Sequence, residues 1–97
     1  MDVHGKLLRH AVVISLLSAG RSVTVDELVQ RIERDHGPIR GRAGKAVSDA
    51  LRWEVAKRRV VHESRGIYAP GRVPRSTQHW MRATLTQAAT PKHRPPH

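Results

Sequence analysis

The 97-residue chain has no cysteine and no phenylalanine, and its aromatic residues are limited to Trp53, Trp80 and Tyr68. Without thiols, neither a disulfide framework nor a thiolate metal site can hold the chain together, so a packed core must do so unaided. Without Phe, that core has to come from Leu, Val, Ile and Ala, a composition that suits packed helices. Carboxylates are scarce too, with eight Asp and Glu against eighteen Lys and Arg and a formal net charge of +10. They form no pair placed for acid–base work, and the chain is small for a pocket that buries a substrate, so no enzyme is expected. No apolar run reaches the ~18 residues that span a bilayer.

Two familiar constellations are also incomplete. His62-Glu63 lacks the second His of a zinc-binding H-E-x-x-H, and His93 and His97 fall in a Pro-rich tail. "GRAGKAV" lacks the glycine a phosphate loop needs five residues before Gly44, where Ile39 stands, and has Ala46 in place of Ser or Thr. No metal and no cofactor are expected. At the start, Lys6, Arg9 and His10 precede "AVVISLLSAG". This run has the length and small-residue exit of a signal peptide, but the same residues work as a buried helix, which is the reading taken here. A cytoplasmic, nucleoid-associated location is then expected, with no membrane partner.

The positive charge is unevenly placed. Residues 1–36 carry five basic and five acidic groups, residues 37–63 seven basic and three acidic, and residues 64–97 six basic and none acidic. All the excess lies after His36, as expected if the later part of the chain meets a polyanion, most simply nucleic acid.

Hydrophobic spacing divides the chain into short elements. Residues 3–19 carry Leu7, Leu8, Ala11, Val12, Ile14, Leu16 and Leu17, a helix buried on more than one side and capped by Gly20. In "TVDELVQRIERD" Thr24 caps, Glu27 completes a capping box, and Val25, Leu28, Val29 and Ile32 recur at helical spacing, which predicts a helix over 25–35. Gly37-Pro38 breaks it, and a third helix is predicted over 41–57. "RVVHE" and "GIYAP" around Ser64-Arg65-Gly66 predict a hairpin over 60–69, closed by Pro70-Gly71. A fourth helix follows within 74–89, with Ser76 or Thr77 as cap and Trp80, Met81, Leu85 and Ala88 as its apolar stripe. The basic tail 90–97 is expected to be disordered.

Helix, helix, turn, helix and hairpin, in that order, resemble a winged helix-turn-helix domain of the bacterial regulator type, and more loosely the globular domain of linker histones. The resemblance rests on "TVDELVQRI" as supporting helix, "GKAVSDALRWEV" as recognition helix and "RVVHESRGIYAPG" as wing. It implies a mainly α fold with a small β-hairpin: residues 1–73 form a three-helix core plus wing, and an additional C-terminal helix over 74–89 packs or dimerises. The pattern departs at Arg58 and Arg59, where such families often carry a small residue and a leucine.

On the third helix, Ala43, Val47, Leu51 and Val55 form an apolar arc for the core. Arg42, Lys45, Asp49, Arg52, Trp53 and Ala56 lie opposite, with Arg40 and Ser48 at the margins. An α-helix fits the major groove, where Arg and Lys donate to guanine and Ser bonds base edges or phosphate. Arg40, Arg42, Lys45, Ser48 and Arg52 are therefore candidate DNA contacts, with Arg65 at the wing tip and Arg72 and Arg75 continuing along the backbone. Asp49 either accepts from a cytosine amino group or, as favoured here, pairs with Lys45. Trp53 is expected to pack against the fourth helix near Trp80. The expected partner is double-stranded DNA, bound by a small transcriptional regulator, with a homodimer possible through Trp80, Met81 and Leu85. Sequence-independent nucleoid association and a protein-interaction module with an acidic partner remain the alternatives, and RNA binding is disfavoured by the lack of stacking aromatics on a sheet.

Overall fold

Seven elements follow one another in residues 3–89, the part of the chain that the computed structural model describes. They are α1 (Gly5–Ala19), β1 (Val23–Thr24), α2 (Val25–Asp35), α3 (Ala43–Ala56), β2 (Val60–Ser64), β3 (Ile67–Pro70) and α4 (Arg75–Ala89). The expected disorder of 90–97 lies outside the described residues.

Helix α1 sits at the centre. Leu8, Ala11, Val12, Val13, Ile14 and Leu16 are all buried, so the helix has no polar stripe over this length and must be covered on every side. It packs against α2, α3, α4 and β3. It begins at Gly5 rather than residue 3, because Val3 pairs with Ile39 as a parallel bridge. The Val3 N–H donates to the Pro38 carbonyl at 2.8 Å, and the Arg40 N–H donates back to the Val3 carbonyl at 3.1 Å. That clasp fixes the α2–α3 turn to the start of α1, and with it the point from which α3 departs. At the other end Gly20 adopts φ 65°, and its N–H closes the helix on the Leu16 carbonyl at 3.0 Å.

Helix α2 has the predicted bounds, and Thr24 Oγ1 accepts from the Glu27 N–H at 3.1 Å. The Glu27 carboxylate does not complete a reciprocal box. Arg21 at 2.5 Å and Arg31 at 3.1 Å hold it, and their hydrogen bonds keep its pKa below the usual carboxylate range. The strand before α2 escaped the sequence reading because two residues carry no periodicity. β1 pairs antiparallel with β3, Val23 opposite Tyr68, and turns the expected hairpin into a three-stranded sheet of order β1-β3-β2.

The buried arc of α3 differs from the expected one. Val47, Ala50, Leu51 and Glu54 are buried, while Ala43 and Val55 only pack against the margin of the core. Glu54 was missed because a carboxylate on a core face is ordinarily excluded. It is 1% exposed, and Arg59 donates to it at 3.2 Å. The same arginine explains the departure from the winged-helix pattern. Helix α3 stops at Ala56, Lys57 caps it, and Arg58 turns left-handed at φ 64°. The Arg58 N–H then meets the Val55 carbonyl at 2.9 Å and the Arg59 N–H the Glu54 carbonyl at 3.0 Å, a Schellman closure that delivers Arg59 to its carboxylate. Gly71 packs against this corner. Its N–H donates to the Arg59 carbonyl at 2.9 Å, and a Cβ there would stand 2.7 Å from the Arg58 carbonyl oxygen.

Helix α4 opens at Arg75, directly after Pro74, so Ser76 and Thr77 lie inside its first turn and are not its caps. Gln78 secures the start instead, its N–H bonding the Pro74 carbonyl and its side chain the Val73 carbonyl, both at 2.9 Å. Met81 and Leu85 enter the same core cluster as α1.

Replacing Arg59 by Met strands the Glu54 carboxylate in the core. The free energy of unfolding in urea should fall by roughly 3 kcal/mol, and combining Arg59→Met with Glu54→Leu should recover most of the loss.

Candidate nucleic-acid interface

On an α-helix, residues four and seven apart return to nearly the same angle, so Lys45, Asp49 and Arg52 share one face of α3, opposite Val47 and Leu51. The side chains bear this out. Lys45 Nζ stands 3.1 Å from one Asp49 oxygen and Arg52 Nη1 4.0 Å from the other, with Lys45 68% and Arg52 81% exposed. Asp49 therefore pairs with Lys45, as favoured from sequence, and gathers Arg52 into the same cluster. In bulk water such pairs add little stability, but they hold two long cationic side chains side by side.

The other expected contacts are more scattered. Arg42 is exposed at the N-cap position, without a capping bond, and Ser48 is half-buried at the edge of the face. Arg40 lies in the α2–α3 turn, exposed and anchored through its backbone to Val3. Arg65 is exposed in the two-residue turn between β2 and β3, beside Gly66 at φ 72°. That tip is tied down. The Val25 N–H donates to the Gly66 carbonyl at 3.1 Å, and Ser22 Oγ donates to Glu63, the extra residue of a bulge in β2. Arg72 is exposed in the link to α4, and Arg75 is exposed as the first residue of that helix.

Trp53 does not pack against α4. It is 56% exposed, with the Arg9 guanidinium of α1 4.9 Å from its ring centroid and the Lys57 ammonium at 6.0 Å. Shallow clefts lie on both sides of it, one of about 210 Å³ towards His4, Leu8 and Arg9, the other of about 400 Å³ towards Asp49, Arg52 and Ala56. Trp80 is 48% exposed, with the Lys6 ammonium 5.2 Å from its ring and the His10 imidazole meeting it edge-on at 4.7 Å. Met81 and Leu85 are committed to the core, so of the three residues expected at a dimer face, Trp80 is the one left accessible to a second copy. Sequence reasoning missed Lys6 and Arg9 as surface partners of the tryptophans. The available signal was the pairing of i, i+3 cations on an otherwise apolar helix.

His10 is 4% exposed, and its Nδ1 has no hydrogen-bond partner. Burial first, then the charges of Lys6, Arg59, Arg9 and Lys57, lower its pKa from 6.5 to about 4. Burial also lowers the pKa of His36, at the end of α2. Among the described residues, no group of three His, Asp or Glu side chains stands close enough to hold a metal ion, and no helix is long and apolar enough to cross a membrane.

Between pH 6.5 and 4 the unfolded chain holds a proton on residue 10 that the folded chain does not, so stability must fall as pH is lowered through that window. From pH 7 to pH 5 the loss should be roughly 2 kcal/mol. Urea unfolding at both values should show it, and His10→Met should remove that part of the dependence while leaving the part carried by His36.

The chain matches no family model, and neither a curated protein nor a solved structure matches it, so the reading of this surface rests on its own residues.

Proposed function

We propose that the chain is a winged helix-turn-helix domain that binds double-stranded DNA as a small transcriptional regulator, with α3 in the major groove and the β2–β3 hairpin as wing. The observation that carries the reading is the cluster of Lys45, Asp49 and Arg52 on the solvent face of α3, directly behind the core residues Val47 and Leu51. Element order supports it, since α1, β1, α2 and α3 precede a hairpin whose second strand pairs with β1. Charge supports it as well. Two carboxylates of α2 engage local arginines, Glu27 with Arg21 and Arg31 and Asp35 with Arg34, and residues 1–36 sum to zero, so the excess positive charge falls on residues 37–97.

Arg42, Lys45, Ser48 and Arg52 meet base edges and phosphate in this reading, and Arg40, Arg65, Arg72 and Arg75 track the backbone. Asp49 favours a regulator over a charge-driven nucleoid coat. A carboxylate facing the groove is repelled by phosphate wherever no base compensates it, and a cytosine amino group compensates it. Recognition of a palindromic site would use a two-fold dimer, for which the Trp80 side of α4 is the available surface.

Titration with a mixed-sequence duplex at two salt concentrations tests the proposal. With about six phosphates neutralised, affinity should fall roughly a thousandfold between 50 and 200 mM salt. Lys45→Glu with Arg52→Glu should abolish binding while circular dichroism stays unchanged, and binding that survives removes α3 from the interface. Asp49→Asn should strengthen binding to arbitrary duplex by about three- to tenfold and narrow the margin for a site selected from a random pool. An equal margin in both proteins would mean that Asp49 discriminates nothing.

A further inference from the structure

Beyond duplex binding, we infer that the flank of α1 is a second nucleic-acid site, built from Trp53 and Trp80 with Lys6, Arg9 and Lys57, which takes unpaired nucleotides of a single strand. The fold leaves one economy unmade. The chain has only three aromatic residues and no Phe, yet both tryptophans stay about half exposed while the core is filled with aliphatic side chains. Each ring faces a cation instead: Trp80 the Lys6 ammonium at 5.2 Å, Trp53 the Arg9 guanidinium at 4.9 Å with Lys57 at 6.0 Å. The two rings flank one short stretch of α1, since Arg9 reaches one and its neighbour His10 touches the other.

Asp49 lines the clefts on both sides of Trp53, and Lys45 and Arg52 hold it. Over their described lengths α1 and α4 carry no carboxylate, and the two on α3, Asp49 and Glu54, are engaged by Lys45 and Arg59. Lys6, Arg9, Lys57 and Arg59 all act on the buried His10, whose Nδ1 has no partner. An anionic ligand suits that concentration of charge, and exposed tryptophan faces beside it suit flat bases. Phosphates would draw Lys6, Arg9 and Lys57 off the rings, and bases would take the uncovered faces. A strand with unpaired bases satisfies both halves of the patch. A duplex hides its base faces, and an acidic peptide without aromatic residues leaves the rings unused.

Single-stranded oligothymidylate, titrated into the full chain at low salt, is the test, with tryptophan emission as the signal. Emission should quench on binding, and Trp53→Leu and Trp80→Leu should each weaken the strand about tenfold or more. Trp53 is exposed, so its variant should fold. Because Trp80 touches α1, Lys6→Gln with Arg9→Gln provides a second variant that removes the two cations and keeps both rings, and it should weaken the strand comparably. On binding, the His10 imidazole, which faces Lys6 and Arg9 from its own helix, Lys57 and Arg59 from the end of α3 and Trp80 from α4, should titrate upward from about 4 as phosphates offset those cations, while its burial, the larger cause, keeps it below 6.5.

Independence from the duplex reading shows in two controls. Lys45→Gln with Arg52→Gln should leave strand affinity within about threefold while weakening the duplex, and Lys6→Gln with Arg9→Gln should leave duplex affinity within about threefold. Unquenched emission, strand affinity indifferent to both tryptophan variants, or competition by poly-glutamate or anionic vesicles as effective as that by the oligonucleotide would each overturn the assignment. None of these results would touch the role of α3.

Discussion

Helix α1 has nothing to offer water between Ala11 and Leu16, and every other element is placed by the need to cover it. Helices α2 and α3 close one part of its circumference, α4 another, and β3 its remaining side. A helix apolar over so much of its surface cannot be satisfied by a single partner, which is why a chain of this size needs α4 inside the core and not as an appendage. The polar residues of α1 emerge where the covering helices leave room. Lys6 and Arg9 sit in that opening with His10 buried beneath them, and the two tryptophans border it.

From this arrangement comes the charge map. Before Gly37, Glu27 and Asp35 are held by arginines close to them in sequence, and Glu54 is held by Arg59 in the core. The net charge left outside is positive. Asp49 is the exception on the outer face of α3, and it converts two separate cations into one cluster with a fixed sense of charge. The left-handed Arg58 and the close approach of Gly71 belong to the same design, since they end α3 where Arg59 can reach inward and β2 can begin. The run Lys57-Arg58-Arg59 thus divides its work: one residue lies over a tryptophan, one forms the turn and one pairs within the core.

Much of this was legible in the residues. Spacing in "TVDELVQRIERD" gave α2 to the residue, because capping and amphipathic period agree there. The exposed face of α3 followed from angle alone. Lys45, Asp49 and Arg52 lie as their spacing requires, and Trp53 points outward as its angle requires, against the expectation that its size would bury it. The illegible parts depended on partners distant in sequence. β1 exists through its pairing with β3, the clasp of Val3 on the α2–α3 turn through a single bridge, and the burial of Glu54 through an arginine beyond the end of its own helix. The start of α4 was misplaced because Gln78 reaches back to Val73, a contact that a search for Ser or Thr caps overlooks.

The central claim is that the Lys45–Asp49–Arg52 face of α3 is the surface that meets duplex DNA. Amide chemical-shift mapping of the isotopically labelled chain with a short duplex tests it most directly. The largest changes should fall at residues 42–52, with a second group around Arg65 at the hairpin turn. Changes centred on α2, around Asp26 to Arg34, with α3 unmoved, would contradict it.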